Sequence, residues 1–336
     1  MVAASIGASL ALVAVLVAKW DELERGVTGA PLAVVALAVA LQVVALISRS
    51  EAWYTCVRAS GGSVSRRRLY RASGMGGLGS QLNTQLGAAA RIFALRRSAP
   101  RESPAVPALI AAELPILVVE AALAAIASIT LIGPLGLPWW FPIAAVAAVA
   151  AVSVGLRSRA VAKIRWLGQG LAVARTPAGS ARVVAFVLVA VFSQIARNWL
   201  MLHAVGVDAS VFDATAVLIA VVTLGQLPFG LSVGAAASVL ILGPQGVAAA
   251  AAAGVLLTAT GTMGSLYFAA WATLDLLLGE GRAARLVSKR LPSLRPAVGA
   301  PWAALGALPA HRRLSIERSY FGGLSHFQIT RVLGVA

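Results

Sequence analysis

Long apolar runs, each closed by a cluster of charges, constrain this chain more than any other feature. They cover Val2 to Ala18, Ala30 to Ile47, Ala105 to Ile132, Trp139 to Leu156 and Val183 to Val205, and a nearly uncharged stretch follows from Asp213 to Leu278. An α-helix of about 20 apolar residues is what it takes to cross the hydrocarbon core of a bilayer. Lipid offers no partner to backbone N–H and C=O groups, so runs like these have to become helices that satisfy themselves. Composition agrees: 59% of the 336 residues are hydrophobic and 12% are charged, about half the charge of a soluble domain. A soluble enzyme, a disordered chain and a disulfide scaffold are excluded. One cysteine, Cys56, cannot form an internal disulfide, and three scattered histidines give no expectation of a metal site. The Val2 to Ala18 run has no basic start and no small-residue cleavage site before Lys19, so it reads as a span, not a cleavable signal.

The charges set the topology. Ser48 to Pro104 carries a net +8, residues 157 to 182 carry +6, and Glu280 to Ala336 carries +7. Cytoplasmic loops collect Lys and Arg, so all three blocks are expected inside, with both termini cytoplasmic. The net-acidic segments 19–29 and 206–213 are expected outside. Topology and anionic lipid headgroups account for the overall charge of +16, and no nucleic acid is implied.

Two stretches do not fit as ordinary spans. Ala72 to Arg91 is glycine-rich and has arginines on both flanks; Asp213 to Gly243 is broken at Gln226-Leu227-Pro228-Phe229-Gly230. If each enters the membrane and returns as a helical hairpin, every basic block stays inside. Non-helical backbone at membrane depth is tolerated only where protein or a wet cavity surrounds it, so two such breaks suggest a cavity between them. The halves also resemble each other. Gly61 to Gln81 and Gly206 to Gln226 are both 20 positions, and Gly-Ala-Ala-Ala recurs at Gly87 and Gly234. The fold expected is an all-α polytopic membrane protein of about six transmembrane helices with two re-entrant hairpins. Its inverted pseudo-repeats would lie near residues 1–133 and 139–280, followed by a basic, loosely ordered cytoplasmic tail at 281–336. Inverted repeats with broken helices are a recurrent transporter design.

Residues 49–101 and 194–275 resemble the lysylphosphatidylglycerol synthase transmembrane (flippase-like) family. The resemblance rests on Arg49, Trp53 and Arg58, on the Gln81-Leu82-Asn83…Leu86-Gly87…Arg91 segment, and on Leu227-Pro228-Phe229-Gly230…Gly234. Family members often carry an acidic residue after the glycine of each hairpin; here those places are Ala88 and Ala235 to Ala237. The roles of those acids do not transfer. The synthase domain of some relatives has no counterpart in the residues after the last span, so aminoacyl transfer is not implied. The resemblance implies movement of a lipid or lipid-linked molecule across the bilayer.

Charges inside spans are the chemical clue, because each costs on the order of 2.5–3.5 kcal/mol at mid-span. Glu113 and Glu120 share a helix face in the third span with Pro115 between them, and Arg197 lies in the fifth with Gln194 and Asn198. Pairing of Glu113 and Glu120 with Arg197 would offset much of that cost. Two roles stay open for these residues: helix-to-helix glue, or the lining for a phosphate or amine headgroup. Arg91 either binds phosphate bidentately or snorkels to the interface. Gln81, Asn83, Gln85 and Gln226 sit at the hairpin breaks, where their amides could satisfy freed backbone or touch substrate. Asp275 is expected to cap its helix or pair with a nearby arginine. The candidate substrate-binding set is Gln81, Arg91, Glu113, Arg197 and Gln226.

Gly230-Leu231-Ser232-Val233-Gly234 matches the nucleophile-elbow string, but that motif needs a strand-turn-helix context. Its Ser232 with His203 is the weaker alternative, and no enzyme activity is expected. No phosphate-binding Gly-x-x-x-x-Gly-Lys-Ser/Thr string is present, so no nucleotide or other cofactor is expected. The function read from the sequence is a flippase or transporter of a lipid or lipid-linked substrate in a bacterial inner membrane, working through a central polar cavity. The alternative is a membrane scaffold that assists an envelope-lipid or glycan enzyme. Partners are membrane lipids with anionic headgroups, the substrate, and such an enzyme.

Overall fold

A computed structural model describes residues 28–82, 84–156, 158, 164–224, 233–242 and 247–290, without the side chains of 81, 82, 84, 85, 165, 233–235 and 276–290. All regular structure among the described residues is helical. Four helical stretches are long and apolar enough to cross a membrane: Leu32–Ala59, Val106–Leu135, Pro177–Ala204 and Val247–Asp275. Two shorter apolar helices are Phe141–Leu156 and Val211–Leu224. The sequence suggests six spans. The run Val2 to Ala18 lies outside the described residues, and the 16 residues of Phe141–Leu156 extend about 24 Å, less than the roughly 30 Å of a hydrocarbon core.

Helix α1 is Leu32–Ala59. Helices α2 (Arg66–Leu82) and α3 (Thr84–Ser98) follow as a pair. The third apolar run is segmented into α4 (Val106–Ala111), α5 (Leu114–Ala127), a 3-10 turn at Ser128–Leu131 and the short α6 (Ile132–Leu135). Then come α7 (Phe141–Leu156), the short α8 (Arg165–Gly170), a 3-10 turn at Ala172–Arg175 and α9 (Pro177–Ala204). A second pair, α10 (Val211–Leu224) and α11 (Val233–Leu242), leads into α12 (Val247–Arg290). Of the second unit, which starts at Leu277, only residues 277–290 are described, and they are helical.

α1 and α9 are each 28 residues long and begin at a proline, Pro31 just before α1 and Pro177 in the first turn of α9. They also end alike. Gly61 (φ 90°) and Gly206 (φ 79°) adopt the left-handed conformation that glycine alone enters without strain. Gly61 N–H donates to Arg58 O and Gly62 N–H to Val57 O; Gly206 N–H donates to His203 O and Val207 N–H to Leu202 O. This crossed pattern satisfies carbonyls that a helix end otherwise leaves open. The two helices pack against each other in opposite directions. Ala38, early in α1, shares a cluster with Met201 and Leu202, late in α9. Trp53 and Val57, late in α1, share another with Val183 and Val187, early in α9.

α2 and α3 form an antiparallel hairpin at near-backbone contact. A Cβ on Gly79 would lie 3.1 Å from Gly87 Cα, and one on Gly87 would lie 2.9 Å from Gly76 O. Glycine is what permits that approach. In the third span the helix breaks at Ala112–Glu113, and Pro115, in the first turn of α5, cannot supply the N–H that a continuous helix would need. α8 fills the space beside this break: a Cβ on Gly170 would fall 2.6 Å from the Ala111 carbonyl carbon. α12 turns a small-residue face to its neighbours, where a Cβ on Gly74 would meet Ala272 Cβ at 2.8 Å. Without a hydrophobic drive between helices in lipid, close packing of small residues is a main source of association.

Candidate functional site

α1 carries two polar stations. The first gathers side chains from α1, α3 and the α4–α5 break. The close packing of Gly76 against α3 positions Arg91, whose Nη2 donates to Glu113 Oε1. Both side chains are 11% exposed. The Arg91 guanidinium also lies 4.3 Å from the centroid of the Trp53 ring, a cation–π contact that helps replace lost hydration. Nearby, Arg49 of α1 donates to Glu120 of α5 at 2.6 Å, with both side chains partly exposed. The station thus holds two arginines and two glutamates and is neutral.

The second station lies one-third of the way along α1. Arg197 of α9 donates from Nη1 to Gln42 Oε1, and its Nε has no hydrogen-bond partner. Arg197 is 8% exposed. Among the described residues no carboxylate lies within 4.0 Å of it. α12 closes over the pair with glycines: a Cβ on Gly261 would sit 3.2 Å from Arg197 Nη1, and one on Gly264 only 2.5 Å from Gln42 Cγ. The neighbouring Asn198 is buried, with its Oδ1 unpartnered and its Nδ2 3.5 Å from Ala214 O of α10.

These positions correct the pairing expected from the sequence. Glu113 and Glu120 take Arg91 and Arg49, not Arg197. The reason is depth. Gln42 and Trp53, which mark the two stations on α1, are 11 residues apart, or about 16 Å along the helix axis. Arg91 is buried between Glu113 and the Trp53 ring. Of the candidate set, Arg91 and Glu113 come together and Arg197 stands apart. Gln81 is the penultimate residue of α2, its side chain outside the described ones, and Gln226 lies outside the described residues altogether, as do Asn83 and Ser232. His203 is exposed at the end of α9, its Nδ1 3.0 Å from Trp199 O.

Asp275 pairs with arginines, as its position near the end of a span suggested. Arg67 donates from Nε to its carboxylate at 2.6 and 2.8 Å, and Arg71 donates from Nε at 2.7 Å and from Nη2 to the Asp275 carbonyl at 2.6 Å. Between them Tyr70 packs edge-on against Phe268 and Trp271 and donates its hydroxyl to Glu51 at 2.6 Å. This clamp ties the start of the α2–α3 hairpin to α12 and α1.

Two participants escaped the sequence reading. Gln42 is a lone amide in an otherwise apolar run, and that isolation was the available signal. The partnership of Arg49 with Glu120 needed the α1–α5 packing to become visible. No protein-family model, curated protein or solved structure matches this chain.

Proposed function

We propose that this chain moves a lipid or lipid-linked molecule with an anionic headgroup across the membrane, and that Arg197 receives the anion. The observation that carries this reading is a buried guanidinium, in a helix of spanning length, with no carboxylate against it among the described residues. A buried charge is costly unless a counter-charge and hydrogen bonds compensate it. Gln42 supplies one neutral acceptor; the unpartnered Nε leaves a donor for a phosphate or carboxylate oxygen. Charge-assisted bonds from a guanidinium to such an oxygen are among the strongest available to a side chain. By contrast, Arg91 and Arg49 are already neutralised, so they serve as framework for the hairpin and third span.

The helix pairs fit re-entrant hairpins. α2 and α3 are 17 and 15 residues long, about 25 and 22 Å, and carry arginines at both outer ends: Arg66, Arg67 and Arg68, then Arg96 and Arg97. The inverted pseudo-repeat draws support from the matched ends of α1 and α9, from their opposite directions, and from the common order of long helix, helix pair, long helix. Basic blocks would then face the cytoplasm, with the chain in the plasma membrane. Rocking of one half against the other would expose the Arg197 station to each side in turn, as in other repeat-built carriers. Lipid movement measured in reconstituted vesicles, wild type beside Arg197→Ala, tests the reading.

A further inference from the structure

A cleft of about 220 Å³ opens between α5, α7, α9 and the turns around α8. Pro115, Val119, Leu156 and Val183 lie on its apolar wall, and Ser153, Ser158, Ser180 and Arg175 supply polar groups. The helical residues come from the first two turns of α5 and of α9 and from the last turn of α7. The cleft therefore sits at one common end of three helices, beside the basic 157–182 segment.

We infer that this cleft binds one anionic phospholipid, an acyl chain against the apolar wall and the phosphate on Arg175. The inference is independent of the transport reading: it concerns a site other than the Arg197 station and needs only a membrane-embedded chain. The apolar wall offers a water no partner, and an ordered water needs two to four. Of the three serines in the lining, Ser153 Oγ donates to Val149 O at 2.7 Å and Ser180 Oγ to Val173 O at 3.4 Å, so these two offer a water only an acceptor. A whole small ligand does not fit either, since enclosing pockets run about 300–1,000 Å³. The cleft is open on one side, so it takes a segment of one acyl chain while the rest of the lipid stays outside it. Arg175 is exposed, and among the described residues no carboxylate lies within 4.0 Å of it. Its guanidinium can therefore grip phosphate with two donors. With no acid beside it to receive an ammonium group, a net-anionic headgroup is preferred over a zwitterionic one.

The test uses the full chain, purified in detergent and stripped of lipid, titrated with phosphatidylglycerol and with phosphatidylcholine of the same chains, bound lipid being counted by native mass spectrometry. Wild type and Arg197→Ala alike should retain one phosphatidylglycerol in the cleft about fivefold more tightly than phosphatidylcholine. Arg175→Gln, a change at an exposed side chain, should erase that preference. Val119→Trp, which fills the cleft, should lose the retained lipid of either kind. Equal retention of the two lipids by wild type, or an unchanged preference in Arg175→Gln, overturns the inference even if Val119→Trp fails to fold.

Discussion

Arg197 and Gln42 meet across the α1–α9 interface, and the hydrogen bond between them exists because α12 has no side chain at Gly264. A methyl group there would stand 2.5 Å from Gln42 Cγ and 2.8 Å from its Cβ. The station is thus built by three helices, of which one contributes only an absence of atoms.

Gly264→Ala should therefore destabilise the protein by about 1–3 kcal/mol, the usual cost of overpacking. Gly261→Ala, whose added carbon would meet only the tip of the Arg197 side chain, at 3.2 Å, should cost less. Thermal unfolding in detergent, followed by tryptophan fluorescence, reads both. Equal unfolding temperatures for wild type and Gly264→Ala would show that α12 does not approach Gln42 as described.

The Arg91–Glu113 pair should behave as framework. Glu113→Gln leaves a buried arginine without its charge partner and should cost about 3–5 kcal/mol. The double variant Arg91→Met/Glu113→Met removes both charges and should unfold close to the wild-type temperature. A double variant as unstable as Glu113→Gln would mean that more than their mutual charge holds these residues in place.

The two helix caps make a matched pair of tests. Nothing lies within 4 Å of a Cβ built on Gly61 or Gly206, so the cost of Gly61→Ala and Gly206→Ala comes from backbone conformation alone. Each should lose about 1–2 kcal/mol, and Asn, which tolerates the left-handed region better, should lose less at both sites. Widely different costs at the two positions would separate caps that the hydrogen bonds make equivalent.

Much of the helical layout was legible in the sequence because hydropathy and helix breakers are local signals. The stretch Gln81 to Asn83, flagged by its amides among glycines, is where α2 ends and α3 begins. Pro115 likewise marks the break that separates α4 from α5. Hydropathy misjudged lengths where charge continued on a helix: the apolar run ends at Ile47, yet α1 carries Arg49, Glu51 and Arg58 to its end at Ala59. Partnerships were less legible, since they depend on depth and on which helices abut. A run of apolar residues puts Arg197 within a helix of spanning length but does not say that its level is that of Gln42, some 16 Å from Trp53 along α1. Glu113 and Glu120 share a face, but only the packing of α1 and α3 against that face selects Arg49 and Arg91 as their partners.

Topology can be read by labelling. With Cys56 replaced by Ala, the only native thiol is gone, and single cysteines can be placed at the exposed positions 97 and 208. Arg97→Cys should react with a membrane-impermeant maleimide only from the cytoplasmic face, and Asp208→Cys only from the opposite face. Labelling of both from one side would contradict the charge-based orientation and the hairpin.

The most direct measurement is lipid movement by the purified chain in liposomes, using fluorescent phospholipids and a polyprenyl-phosphate lipid, with wild type beside Arg197→Ala and Arg197→Lys. The expected result is transfer of at least one anionic lipid by wild type, its loss by tenfold or more in Arg197→Ala, and partial recovery in Arg197→Lys, which keeps the charge without the planar fork. Transfer that survives intact in well-folded Arg197→Ala would contradict the role given to Arg197. No transfer of any lipid by folded wild type would contradict transport itself and favour a scaffold for an envelope enzyme.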